Sequence, residues 1–251
     1  MKQRFGRETL QAEIGVVSVL WIALILCAPV PLVQAQIGGR TAADGPFVLD
    51  DVEDLDLTAD GVMRNWVSDY IEPTGSILTT LRLSGSGLTL AQGQTPIGAF
   101  RARIPEVLGY ISGGFGVPMP GEAGASSADH PGNITSFNFL SFEACFQPTF
   151  SGQFFEVILE TYPGPTYPKI YWRFSPAVGT TFRTVKIDLK APSLIENSGG
   201  KSLVELLSQT RFLYFYCYAK QVPTGTTLDF HIDDIRLLGA TPSAVRRWWM
   251  Y

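Results

Sequence analysis

The run Leu228-Asp229-Phe230-His231-Ile232-Asp233-Asp234-Ile235-Arg236-Leu237 decides how this chain is read. From Leu228 to Asp233 apolar and polar residues alternate, the period of a strand with one face buried. Asp233-Asp234 breaks the alternation, and Ile235 and Leu237 resume it out of step. Adjacent carboxylates resist burial unless a cation, a base or several N–H donors meet them. A second acidic cluster, Asp50-Asp51-Val52-Glu53-Asp54, follows the apolar run Phe47-Val48-Leu49. First and last strands lying side by side would bring the two clusters to one cation.

Between these ends the same period recurs. Gly75–Ser84, Ile97–Ile104, Thr135–Phe146, Phe154–Tyr162, Lys169–Phe174, Thr181–Leu189, Arg211–Ala219 and Leu228–Leu238 read as strands separated by Gly, Pro, Ser and Thr turns. Long helical patterns are absent, and Lys201–Gln209 is the best candidate for a turn or two of helix. Many strands with turn-rich joints predict an all-β sandwich or jelly roll. Gly113–Gly132, rich in Gly, Pro, Ala and Ser, reads as a long loop, either a surface insert or a binding lid.

Residues 1–35 read as a secretory signal peptide. Lys2, Arg4 and Arg7 give a basic start, and Val33-Gln34-Ala35 has the small-residue layout of a cleavage site. The apolar run Val16–Ala28 is shorter than the ~20 residues a spanning helix needs; an uncleaved anchor is the alternative. Residues 36–46 read as a flexible lead-in, 47–239 as the β-sandwich domain and 240–251 as a tail. The chain carries 19 Lys+Arg against 23 Asp+Glu. That acidic balance argues against nucleic acid as a partner, because nucleic-acid binders show a basic footprint. Export would favour a disulfide between Cys145 and Cys217. The alternation around each points the other way: Cys217 reads as core-facing and Cys145 as outward-facing, and pairing would need a bulge or a sheet edge. Both outcomes stay open at this level.

The opening Phe-Val-Leu-Asp-Asp-Val-Glu-Asp (47–54), with Trp66 after it, resembles the start of secreted jelly-roll carbohydrate-binding modules. The closing Asp-Phe-His-Ile-Asp-Asp-Ile-Arg-Leu (229–237) resembles their last strand, and Phe182–Leu189 resembles an inner one. Phe182 stands where Trp is common, and Asp188 where Pro is common. The resemblance extends to the wider galactose-binding-like superfamily, which includes the complex I intermediate-associated domain. It implies a jelly-roll β-sandwich of two antiparallel sheets. It also implies a structural Ca²⁺ tying Asp51 and Glu53 to Asp233 and Asp234, a cation that prefers six to eight hard oxygens. The alternative is that these acids cap turns or face solvent.

The strongest ligand-face signal is Arg211–Ala219. Tyr214, Tyr216 and Tyr218 share one strand face, while Leu213, Phe215 and Cys217 share the other. Tyr171 and Arg173 sit opposite the core set Ile170, Trp172 and Phe174, and Tyr162 follows Glu156 and Glu160 on another strand. Such a strip suits a glycan, whose C–H faces stack on rings while its hydroxyls hydrogen-bond; the alternative is cross-strand stabilisation. His231, between Asp229 and Asp233, reads as a plain surface histidine rather than a metal ligand or base. No Gly-x-Ser-x-Gly elbow or phosphate loop occurs. Glu143, Glu156 and Glu160 are the carboxylates a hydrolase or lyase would pair. The expectation is a non-catalytic, polysaccharide-binding β-sandwich of an exported or cell-surface protein. The alternatives are a small polysaccharide hydrolase or lyase, and a protein-interaction module.

Overall fold

A computed structural model describes residues 45–60, 64–68, 80–119, 132–162 and 167–239. The signal segment, most of the lead-in and the tail lie outside the described residues. In chain order the strands are β1 (Phe47–Asp50), β2 (Thr58–Ala59), β3 (Arg64–Asn65), β4 (Val67–Ser68), β5 (Thr80–Leu83), β6 (Phe100–Pro105), β7 (Tyr110–Pro118), β8 (Phe139–Gln147), β9 (Phe154–Thr161) and β10 (Lys169–Phe174). They continue as β11 (Ala177–Val178), β12 (Arg183–Asp188), β13 (Leu194–Glu196), β14 (Thr210–Lys220) and β15 (Thr227–Leu238). One short helix, α1 (Leu203–Leu207), precedes β14. Its capping box satisfies both ends of the first turn: Ser202 accepts from the Glu205 N–H, and Glu205 reaches back to the Ser202 N–H. Leu206 and Leu207 are buried beneath it.

Two sheets make the sandwich. The first runs β11-β8-β15-β6-β5, with β1 also on β15 and β12 also on β8; the second runs β13-β10-β9-β14-β7-β4. From β6 onward the chain passes between sheets at six of nine connections, which is the jelly-roll habit. Pairing is antiparallel except for β11 on β8. On one side of β15, β6 takes the first half (Thr227 to Ile232) and β1 takes the second (Ile235 to Leu237). The two ends of the described domain are therefore hydrogen-bonded neighbours.

The break at Asp233-Asp234 is a β-bulge. The β15–β8 register shifts between Asp233 and Arg236, and Asp234 has φ 50°. One extra residue returns Ile235 and Leu237 to the core beside Leu228, Phe230 and Ile232, all buried. Between the sheets, Trp66 meets Phe100, Phe115 and Phe215 at centroid distances of 5.0, 5.6 and 6.1 Å.

The loop expected to begin at Gly113 begins later. Residues 110–118 form β7, inside the second sheet between β14 and β4. Composition suggested a turn, but these glycines serve close approach. A Cβ on Gly116 would lie 2.5 Å from Leu213 O and from a ring carbon of Phe212. A Cβ on Gly114 would lie 1.9 Å from Phe215 O. Glycine inside a strand marks such crowding. Residues 120–131 of the expected loop lie outside the described residues, as do 75–79 of the strand expected before β5.

Cys145 and Cys217 are free and buried. Cys217 belongs to the main core, whereas Cys145 packs with Leu88, Ala99 and Phe182 on the opposite side of the first sheet. The alternation argument, not the compartment argument, describes them.

Candidate functional site: the tyrosine face of the second sheet

β14 lies near the centre of the second sheet, and its period-two pattern sorts its side chains. Leu213, Phe215, Cys217 and Ala219 are buried; Phe212, Tyr214, Tyr216 and Tyr218 are half-buried on the outer face. Register then places their neighbours. Tyr214 stands between Ile158 of β9 and Gly116 of β7, Tyr216 between Glu156 and Gly114, and Tyr218 between Phe154 and Ser112. Beyond β9, Tyr171 pairs with Ile158 and Arg173 with Glu156. The face therefore brings together Tyr171, Arg173, Tyr214, Tyr216 and Tyr218.

Hydrogen bonds and ring contacts fix these groups. Phe212 and Tyr214 stack at 4.2 Å with 22° between planes, over the space that Gly116 leaves. The Tyr216 and Ser112 hydroxyls are 2.5 Å apart. The Tyr171 hydroxyl donates to Glu196 Oε2 at 2.8 Å, and burial together with this carboxylate pushes the phenol well above its ordinary pKa. Burial likewise raises Tyr216. Both tyrosines stay protonated and keep their donors at neutral pH.

Charges on the face are paired. Arg173 Nε donates to Glu156 Oε1 at 3.1 Å, and its guanidinium lies 4.9 Å from the Phe154 ring centroid. Arg211, displaced outward where the β14–β9 register shifts between Thr210 and Phe212, pairs with Glu160. It lies 4.0 Å over Tyr167 and 5.9 Å from Tyr162. Tyr162 thus sits at one end of the face, beside Tyr167 and Arg211. Tyr218 marks the other end, 5.1 Å from Phe154 and 6.2 Å from Tyr110.

The sequence reading missed Phe212, Phe154, Ser112 and Tyr167. Phe212 shares the parity of Tyr214 and was open to the same argument. Ser112 was hidden because the residues after it, Gly113–Gly132, were read as a loop. Phe154 shares the parity of Glu156 and was open to that argument as well, whereas Tyr167 joins through packing just before β10, which spacing does not encode.

The outer face of the first sheet differs from its expectation. His231 is not a surface histidine: it is 4% exposed, and burial pushes it down to about 4. Its strand partners are Cys145 on β8 and Arg101 on β6, and its Nδ1 has no partner among the described residues. Alternation correctly points it away from the core. Nearby, though, Leu88 and Ala99 of the preceding loop close over Cys145 and bury that side of the sheet as well. Asp233, 5% exposed, is pushed up to about 7 by burial, with Asp234, Glu143 and Asp51 adding to the rise and a bond from the Asp234 N–H opposing it.

The acids named for a cation are distributed unevenly. Asp51 acts on Asp233 electrostatically, Asp234 pairs with Arg236, and Glu53 is exposed. Among the described residues no three His, Cys, Asp or Glu side chains form a metal-holding group. The acid buried at the opening is Asp50. The three glutamates do not face one cleft: Glu143 lies on the first sheet, and Glu156 and Glu160 lie on the second. Four residues of strand separate the latter two by about 13 Å along the backbone, and each is paired with a different arginine, Glu156 with Arg173 and Glu160 with Arg211.

The family 11 carbohydrate-binding module of the cellulosomal cellulase Lic26A-Cel5E of Clostridium thermocellum is similar over 78% of this chain and 95% of its own, at 16% identity and a TM-score of 0.48. The family 30 carbohydrate-binding module of the cellulosomal cellulase Cel9D-Cel44B of Clostridium thermocellum is similar over 78% and 98%, at 12% identity and 0.44. An exo-β-agarase matches 78% of this chain at 11% identity and 0.50, and the match spans 25% of the agarase. The chain is a jelly-roll β-sandwich. That architecture rests on the sheet order and register above; at these identities and TM-scores the likeness to carbohydrate-binding modules says nothing of function. No family model matches the chain, and no curated protein matches it. Among the described residues no helix is long and apolar enough to cross a membrane.

Proposed function

We propose that this chain is a non-catalytic carbohydrate-binding β-sandwich of an exported protein, and that a polysaccharide lies on the tyrosine face of the second sheet. One observation carries the reading. Four aromatic side chains, Phe212, Tyr214, Tyr216 and Tyr218, follow one strand on a solvent-facing sheet surface, flanked by the pairs Arg173–Glu156 and Arg211–Glu160. Rings offer stacking surface to sugar C–H groups, phenols donate and accept, and bridged Arg and Glu hold fixed hydrogen-bonding edges. Core packing does not account for this row, because β14 already fills the core with its other face.

Affinity electrophoresis of the protein in gels containing soluble polysaccharides tests the reading. Retardation by at least one polysaccharide, lost in the Tyr214→Ala/Tyr216→Ala variant with its melting transition intact, supports it. Unretarded migration in every neutral β-glucan, galactan and mannan overturns it. The cation is proposed in its narrower form: Ca²⁺ held by Asp51 of the opening cluster and Asp233 of the closing one, which act on each other, while Asp234, which also acts on Asp233, is paired with Arg236.

A further inference from the structure

The open edge of the sandwich carries a second set of groups. Between β10 and β12 lies a groove of about 400 Å³. Trp172, Arg173 and Ser193 line it from one side, and Arg183, Lys186 and Asp188 from the other. β12 pairs with β8 along one edge, and β10 pairs with β13 through Lys169–Tyr171, so Trp172–Phe174 lie past the end of that ladder.

What the groove offers is donors and positive charge. Trp172 is 2% exposed, and its Nε1–H has no acceptor among the described residues. A buried donor left unmatched is costly and is expected to have a partner. Arg183 is exposed and makes no ion pair among the described residues. The Lys186 ammonium lies 4.0 Å over the Phe139 ring and makes no ion pair among the described residues. Ser193 Oγ accepts from the Arg173 N–H, which leaves its hydrogen to donate. Asp188 is the one acid in the lining, and it accepts the Lys190 N–H. Cations on an edge strand also guard against strand pairing, but that role gives the Trp172 N–H no partner.

The groove is joined to the tyrosine face. Arg173, Phe174 and Ser175 also line a neighbouring groove of about 490 Å³ over Phe155. Arg173 itself bridges to Glu156 beside Tyr216. We propose that the β10–β12 groove is a second binding site that takes the carboxylate of an acidic saccharide, a uronic-acid residue. A guanidinium meets a carboxylate through two parallel N–H bonds, and the Trp172 and Ser193 donors supply the remaining contacts. The saccharide half of this inference rests on the reading of the tyrosine face; the carboxylate half rests on the groove alone.

The test titrates the full chain with tetragalacturonate and with a neutral tetrasaccharide, by calorimetry at two salt concentrations. The uronate is expected to bind, to weaken as salt screens Arg183 and Lys186, and to lose roughly tenfold in affinity in Arg183→Gln, the loss of one charge-assisted contact. Trp172→Phe keeps an aromatic side chain in the core and removes the N–H, and, with its melting transition intact, is expected to lose uronate and spare the neutral sugar. Tyr214→Ala/Tyr216→Ala is expected to do the reverse. Uronate binding that survives Arg183→Gln and Trp172→Phe overturns the groove and leaves the tyrosine face standing. Uronate binding lost in those variants, with no neutral sugar bound anywhere, retains the groove and overturns the tyrosine face. No uronate binding at either salt concentration overturns the groove.

Discussion

The Trp66 indole donates its Nε1–H to Asp50 Oδ2 at 2.6 Å inside the core, across sixteen residues of chain. The other carboxylate oxygen of Asp50 accepts the Val52 N–H at 2.7 Å, and Val52 has φ 57°. One carboxyl therefore ties the first strand, the sharp turn after it and the central tryptophan. Both bonds favour the ionised form, yet burial dominates and lifts Asp50 to about 7.

Trp66→Phe is expected to lose the donor and part of the ring volume packed on Phe100, Phe115 and Phe215. The cost should be about 2–5 kcal/mol, an orphaned buried polar group plus a cavity. It should be larger at pH 8.5 than at pH 5.5, because the ionised carboxylate needs the donor more. Urea unfolding at both values measures it; an equal and negligible change at both would remove the role assigned to this bond.

Stability should fall as the solution becomes more alkaline through neutrality. Asp50 and Asp233 both titrate near 7 when folded, above their ordinary 3.8. The native state then binds more protons than the unfolded chain from about pH 4 to 7, so their contribution is complete at low pH and lost through about 7. His231, depressed to about 4 from 6.5, works the opposite way and only below about 6.5. The net fall should therefore run from about pH 4.5 to 7 and level off above that, and Asp233→Asn should flatten it. A melting temperature that rises over that interval contradicts the assignment.

Calcium bound at Asp51 and Asp233 should raise the melting temperature and blunt the same decline, because a cation replaces the proton at Asp233. Asp51→Asn and Asp233→Asn should each abolish the increment. Superimposable scans in excess calcium and in chelator dispose of this cation.

Gly116→Ala tests how the tyrosine face is built. Its methyl would press on Leu213 O, on Phe212 and, at 2.8 Å, on a ring carbon of Tyr214. Destabilisation of about 1–3 kcal/mol is expected from such overpacking, with loss of the near-ultraviolet signal of the stacked pair. An unchanged spectrum and stability would mean that the face does not depend on this glycine.

The two cysteines should resist thiol reagents in the folded protein and react in urea. Both are 0% exposed, and burial pushes both thiols up to about 12. Peptide mapping after alkylation distinguishes them from Cys27; rapid native labelling of Cys145 would show that its cover opens.

The residues legible in sequence were those governed by period alone. The two faces of β14, the two faces of β10 and the broken alternation of β15 follow from side chains alternating across a strand. So do the opposite orientations of Cys145 and Cys217. Composition misled at Gly113–Gly116, because small residues that signal a turn in isolation also admit bulky neighbours in a sheet. It misled again at His231, because alternation fixes which side a residue faces and not whether another segment lies over that side.

What the chain dictates by itself is local: strand period, the capping box of α1, and an aromatic row whose inner partners must be buried. Tertiary structure alone decided that Asp50 rather than Asp51 would be the buried acid, that Arg173 and Glu156 would meet beside Tyr216, and that Trp172 would line an edge groove with an unmatched donor. Those outcomes depend on register between strands far apart in sequence and on which loops cover a sheet, and both are set by long-range packing that no local pattern carries.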